Sequence, residues 1–299
     1  MNEFELIRRF FAGPGKGGRT IGDDCARLVP SPGMELSVTA DMLVEGRHFL
    51  PGVDPRTLGH KALAVNLSDL AASGAAPRWF FLSIALPAAD ERWLQPFSEG
   101  LFALATGHAI ELAGGDTTRG PQVVVAITAI GELPAGSALT RGGARAGDDV
   151  WVSGPLGGAA LALVHPEIAS AAQRLHEPQP RVALGQKLRG LASACIDVSD
   201  GLAADLGHIL ERSGVGARVE YERIPKEDSL KDHPDLARRC VLSGGDDYEL
   251  LFTVPAAKRK DAEALGATRI GEIVAGRDLA ILDASGLPIP HQGGFDHFA

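Results

Sequence analysis

Six stretches of this 299-residue chain place aspartate beside glycine, at the end of an apolar run, or inside one. They are Gly22-Asp23-Asp24, Asp41 after LSVTA, Asp69 within ALAVNLSDLAASG, Gly114-Gly115-Asp116-Thr117-Thr118, Asp197-Val198-Ser199-Asp200-Gly201, and Gly244-Gly245-Asp246-Asp247. In α/β folds, side chains just beyond the carboxyl ends of strands converge on one rim, where ligands bind. Glycine lets the backbone come close to a phosphate or a metal. Carboxylates gathered on such a rim repel one another unless a cation neutralises them. Mg²⁺ suits that task, because it takes oxygen ligands from a few carboxylates, waters and substrate phosphates. The pattern therefore predicts a Mg²⁺-phosphate site assembled from distant loops.

A plainer reading competes at each position. A Gly-Asp pair taken alone is a common turn signal. Asp69 resists that reading, since an unpaired charge buried among apolar neighbours costs several kcal/mol. A polar helix face carrying Asn66, Ser68 and Asp69 is the alternative there. Ser199 between two acids also reads as a helix cap. His48, Arg141 and Phe295 have ordinary readings as a strand-end histidine, a solvated loop charge and a small apolar anchor.

Familiar nucleotide and hydrolase motifs are missing. There is no GxxxxGK[ST] and no GxGxxG opening a helix, so neither an ordinary P-loop nor a dinucleotide fingerprint is present. HExxH, the kinase HRD and DFG set and a nucleophile elbow are absent as well. The glycine-rich Gly13–Gly18 has a lysine without the P-loop spacing and reads as a flap, at best a lid over phosphates.

The elements that must position these residues alternate along the chain. A short helix is expected over 3–11. Asp54-Pro55 starts a helix running to about Gly74, with a capping acid and proline at the first helical position. Strands are expected at LSVTAD, closed by Asp41, and at Arg78–Leu86 and Gln122–Leu133. A helix over Asp90–Ile110 contains Pro96, which is expected to delay or kink its start. The glycine-rich Pro134–Asp149 suggests a boundary between domains 1–135 and 136–299. Beyond it come strands at Val150–Ser153, Ala194–Val198, Glu249–Val254, Arg269–Val274 and Leu279–Leu282, and helices at Gly157–His165, between the polar connection around Glu177–Pro180 and Ala194, at Leu202–Ser213 and at Ala256–Leu265. The fold class is α+β (mixed α/β), in two lobes.

Composition narrows the classes. The net charge is −9, 45% of residues are hydrophobic and 22% charged, as in an ordinary globular protein. No basic stripe suggests nucleic-acid binding, and no apolar run is long enough to suggest a membrane span. The N-terminal MNEFELIRRFF lacks the layout of a secretory signal. Three separated cysteines, Cys25, Cys195 and Cys240, suit a reducing cytoplasm rather than a disulfide framework.

Taken together, IGDDCARL, TADMLVEGRHF, HKALAVNLSDLAASGA, GGDTTRG, ALTRGGARAGD, IDVSDGLAADLGHI, LSGGDDYELLFTV and GGFDHF make the chain resemble the thiamine-monophosphate kinase family. That family belongs to the aminoimidazole ribonucleotide synthetase-related superfamily, and the resemblance runs from about Phe4 to Phe298. It implies ATP-dependent phosphorylation of thiamine monophosphate to thiamine diphosphate, the last step of that cofactor's synthesis, with several Mg²⁺ ions. It also implies a homodimer whose N-terminal mixed sheets join into a barrel, and a sandwich-like α/β C-terminal lobe.

By resemblance, Asp24, Asp41, Asp69, Asp116 and Asp197 match catalytic Mg²⁺ ligands, with Asp200 a further metal-binding acid and Thr39 a hydroxyl near the metals. Gly115, Asp116, Arg141 and Ser199 match nucleotide-contacting positions. His48, Asp246 and Phe295 match substrate contacts. The chain departs from the family in having Ala40 where a second hydroxyl is common and Asp246 where glutamate is frequent. Sister synthetases of the superfamily, which activate selenide or a carbonyl oxygen, remain an alternative, although their cysteine-bearing flap or tail has no counterpart in the flap or in FDHFA. A non-catalytic metal- or nucleotide-binding protein is the other.

Overall fold

A computed structural model describes residues 2–12 and 21–291; Phe295 and Gly13–Gly18 lie outside the described residues. The chain divides into two units, one of Met1–Leu70 with Ala75–Gly136, the other of Ala71–Gly74 with Ser137–Ala299. Both mix helices and strands, as the alternation along the sequence predicts.

The first unit opens with α1 (Glu3–Leu6), which widens into a π-helical turn over Ile7–Phe11 that buries Phe10 and Phe11. Four strands follow, β1 (Met34–Val44), β2 (Ala76–Leu86), β3 (Glu111–Arg119) and β4 (Val124–Pro134), in the spatial order β1-β4-β2-β3. β4 is antiparallel to both neighbours, and β2 runs parallel to β3. Asp41, Ile127, Leu82 and Gly115 consequently form one cross-strand row.

Two helices accompany this sheet, α2 (Pro55–Ala72) and α3 (Glu91–Gly107). The Asp54 carboxylate accepts the Arg56 N–H at 2.9 Å and starts α2. From Lys61 to Ala71 every residue of α2 is buried except Asp69, the pattern of a helix enclosed on all sides. Close approach of the two helices is made possible by glycine. A Cβ on Gly59 would stand 2.1 Å from the Phe97 carbonyl oxygen, and one on Gly100 would stand 1.9 Å from that of Arg56. Pro96 does not delay α3. The Asp90 side chain caps it through the Arg92 N–H, and burial of Leu94, Phe97 and Leu101 carries the helix through the proline.

β1 alternates. Met34, Leu36, Val38 and Met42 are exposed along one face, while Thr39 and Asp41 fall on the other, partly buried.

The second unit holds β5 (Asp148–Val152), α4 (Gly158–Val164), α5 (Ala169–His176), α6 (Val182–Leu188), β6 (Ala194–Asp197) and α7 (Leu202–Ser213). It continues with β7 (Gly216–Glu220), α8 (Pro234–Ser243), β8 (Leu250–Pro255), α9 (Arg259–Ala264), β9 (Thr268–Val274) and β10 (Leu279–Leu282). The sheet order is β10-β7-β9-β5-β8-β6, antiparallel except for β10 with β7. Val150, Val152, Leu206, Ile209, Leu251 and Ile270 are central to its core.

Several local expectations are corrected. Asp41 lies inside β1 rather than closing it, because Met42–Val44 go on pairing with Val124–Ala126. Gly114–Thr118 is strand, not a turn, since it pairs with Phe81–Ala85. α5, β7 and α8 are elements the sequence reading lacks, and Ala256–Lys258 forms a 3₁₀ turn before α9.

Candidate active site

In the first unit, β1 and α2 bring three predicted residues together. The Thr39 hydroxyl donates to Asp69 Oδ2. Burial, and then the neighbouring Asp69 charge, raise the Asp41 carboxyl to about 6. One turn before Asp69, Asn66 is fully buried; its Nδ2 donates to the Ala62 carbonyl, while its Oδ1 finds no partner among the described residues. The two carboxylates and the hydroxyl that meet here form an all-oxygen donor set. That set fits a hard divalent cation such as Mg²⁺ rather than a thiophilic metal.

Asp116 stands on the row of Ser83, Ala126 and Met42, next to the Asp41 row. Its Oδ1 accepts the Thr117 N–H at 2.9 Å. The preceding Gly115 has φ +152°, and a Cβ there would meet the Leu82 carbonyl oxygen at 1.8 Å, so only glycine fits. A cavity of about 510 Å³ begins one residue further on, lined by Thr117, Thr118 and Arg119 with Asn2, Leu6 and Leu86–Ala89. Asp24 is exposed. His48 Nδ1 accepts the Val44 N–H at 3.0 Å, which leaves the proton of the neutral ring on Nε2. Among the described residues no three His, Cys, Asp or Glu side chains gather closely enough to hold a metal ion. The predicted acids thus meet as the pair Asp41–Asp69, with Asp24 and Asp116 elsewhere in the same unit and Asp197 and Asp200 in the other.

In the second unit, the two glycine-aspartate motifs are fastened to each other. Asp197 ends β6 and is buried. The Asp246 N–H donates to the Ser199 carbonyl at 2.9 Å, and the Tyr248 N–H to that of Val198 at 2.8 Å. In return the Val198 N–H donates to the Glu249 carbonyl at 2.8 Å. Gly245 is required at this seam, since its Cβ would lie 2.0 Å from the Ser199 carbonyl oxygen. Asp246 and Tyr248 adopt left-handed φ of 64° and 52°, and the Tyr248 hydroxyl donates to Asp246 Oδ1 at 2.8 Å.

Ser199 is not the cap of α7. Gly201 occupies that position, and Asp205 reaches back to accept the N–H groups of Ser199 at 3.0 Å and Asp200 at 3.1 Å. Burial raises the Asp205 carboxyl to about 7, although these bonds oppose the rise. Asp247 is structural: it is buried and takes the Gly157 N–H at 3.0 and 2.9 Å, and burial holds its carboxyl well above the ordinary range. Glu249 is buried between Arg181, whose Nε lies 2.7 Å away, Arg174 and the Ser153 hydroxyl. The Arg141 side chain lies in an exposed loop whose carbonyl accepts the Ser213 hydroxyl at 3.3 Å.

Residues 22–133 match the family described as AIR synthase related protein, N-terminal domain, and residues 145–283 its C-terminal domain. A thiamine-monophosphate kinase of Salmonella typhimurium is 44% identical, over 99% of this chain and 98% of its own length. The chain belongs to the thiamine-monophosphate kinase family. A crystal structure of thiamine-monophosphate kinase from Stenotrophomonas maltophilia K279a superimposes with a TM-score of 0.84 at 46% identity, covering 90% of each chain. A structure of AaThiL complexed with AMPPCP and TMP gives a TM-score of 0.81 at 32% identity, covering 94% of this chain and 93% of the other. No helix among the described residues is long and apolar enough to cross a membrane.

Asp205 and Tyr248, which the sequence reading does not single out, hold the seam between the two glycine-aspartate motifs together. Asp205 had a signal in its spacing, an acid four residues beyond Gly201 where it can reach back over the first turn of a helix. Tyr248 had none, since nothing in GGDDYEL shows that two of its residues are left-handed.

Proposed function

We propose that this chain transfers the γ-phosphoryl group of ATP to thiamine monophosphate, directly and with Mg²⁺, giving thiamine diphosphate in the cytoplasm. One observation carries this reading: a relative sharing its fold over 94% of the chain is complexed with both AMPPCP, an ATP analogue, and TMP. The chemistry of the residues supports it. The acceptor is a phosphate oxygen that is already anionic near pH 7, its second pKa being about 6, so no general base is needed. The obstacle is charge. At 4 Å two unit charges repel by about 4 kcal/mol at an effective dielectric of 20.

Bound Mg²⁺ supplies the neutralisation between donor and acceptor phosphates. Asp41 and Asp69 with Thr39 would hold it in the first unit, where Asp24 and Asp116 are further candidate ligands, and Asp197 and Asp200 are the candidate metal-binding acids of the second unit. Gly115, Arg141 and Ser199 would contact the nucleotide. His48, Asp246 and Phe295 would contact the thiamine monophosphate. The exposed apolar stripe of Met34, Leu36, Val38 and Met42 supports a homodimer closed through the first unit's sheet.

Purified protein incubated with ATP, Mg²⁺ and thiamine monophosphate should yield thiamine diphosphate by chromatography, and none with EDTA or with thiamine as acceptor. A stable phosphoenzyme trapped during turnover would contradict direct transfer.

A further inference from the structure

We propose that Tyr248 is a positioning residue for thiamine monophosphate, its phenol fixing the carboxylate of Asp246 in the plane the substrate meets. This rests on the reading of Asp246 as a substrate contact and goes beyond it. The loop Gly244–Glu249 is held at both ends: Gly245 lies against the Ser199 carbonyl, and Glu249 is buried among Arg181, Arg174 and Ser153. Between those ends the backbone takes a costly path. Of the described non-glycine residues, only Asp246, Tyr248 and Ala109 have positive φ. A tyrosine rarely adopts that conformation, and strain of this kind collects where a side chain must be aimed.

Two backbone bonds stabilise the path, from the Asp246 and Tyr248 N–H groups to the carbonyls of Ser199 and Val198. The path brings the Tyr248 phenol to the Asp246 carboxylate. Tyr248, 8% exposed, turns its hydroxyl back onto Asp246 Oδ1 at 2.8 Å, so a rigid aromatic lever sets a short side chain. Aspartate has one methylene fewer than glutamate and reaches less far, so its direction matters more. A hydrogen bond from a neutral donor to a carboxylate is strong enough to hold that direction.

The test compares Tyr248→Phe, Asp246→Asn and the double variant in steady-state kinetics and in calorimetric titration with thiamine monophosphate. Tyr248→Phe should raise the KM and Kd for thiamine monophosphate on the order of fivefold to tenfold. It should leave kcat, the KM for ATP and the Tm essentially unchanged. Asp246→Asn should raise the same constants at least as far, and the double variant no further than Asp246→Asn alone. Equal losses for both substrates, a lowered kcat with a lowered Tm, or a Tyr248→Phe effect that multiplies that of Asp246→Asn would overturn the proposal. If Asp246→Asn weakens thiamine monophosphate and Tyr248→Phe does not, the positioning role fails while the substrate contact stands. If Asp246→Asn leaves binding unchanged, the substrate contact fails and the positioning role with it.

Discussion

Two sets of poorly exposed carboxylates in this molecule have opposite surroundings. Asp149, in the second unit, is 2% exposed and lies between two guanidiniums, with Arg259 Nε at 2.7 Å and Arg269 Nε at 2.5 Å. Burial alone would raise its carboxyl, but the hydrogen bonds and charges of Arg259 and Arg269 outweigh it and hold the group below the usual range. Asp41, in the first unit, faces the like charge of Asp69, and both burial and that charge push it up. Glu249, with its arginines and Ser153, resembles Asp149. A carboxylate set between guanidiniums of the chain is part of the architecture, whereas two neighbouring carboxylates with a raised pKa mark a candidate functional site.

The largest effect is expected for Asp69→Asn. Turnover should fall on the order of 10²-fold or more, as when a transition-state electrostatic partner is removed. Stability should hold or rise, because the substitution relieves repulsion with Asp41. Full activity in a steady-state assay would remove Asp69 from the site.

Asp149→Asn should do the reverse. Removing the carboxylate weakens its hydrogen bonds to two partly exposed guanidiniums and should cost on the order of 1 kcal/mol in urea unfolding, with kcat retained in the molecules that fold. The pH dependence sharpens the contrast. A lowered folded pKa means that Asp149 contributes its stability above the unfolded value of about 3.9 and loses it as the pH falls through the folded value. The stability gap between wild type and Asp149→Asn should therefore be constant near neutrality and shrink progressively below about pH 4. The smallest effect is expected at an exposed pair. Arg223→Gln, which breaks the contact with Glu220, should change stability by less than about 0.5 kcal/mol.

Local chemistry made part of this legible. The start of α2 is written in Asp54-Pro55, and its enclosure in the apolar run around Asp69. The kinship of the whole chain is written in the order of its glycine-aspartate motifs. What escaped depends on residues far apart in sequence. Asp41 looked like a strand end because LSVTAD stops at an acid, yet β1 continues wherever Val124–Ala126 pair with it. GGDTT looked like a turn, but Gly115 is needed for a strand lying against the Leu82 carbonyl. α8, PDLARRCVLS, is too polar to stand out until Ala237, Cys240 and Val241 are seen to share the core. The left-handed Asp246 and Tyr248 follow from the seam with Ser199 and Val198, which no spacing within GGDDYEL reveals.

We propose that the Asp41–Asp69 pair binds a metal-nucleotide. The direct measurement is the thermal shift produced by Mg²⁺ with AMPPCP in wild type, Asp69→Asn and Asp149→Asn. A ligand present at about a hundred times its Kd stabilises the folded state by about 2.7 kcal/mol. Wild type should show an upward shift in Tm that EDTA abolishes, Asp149→Asn should show the same shift from a lower starting Tm, and Asp69→Asn should show little or none. An undiminished Mg²⁺-dependent shift in Asp69→Asn would contradict the account.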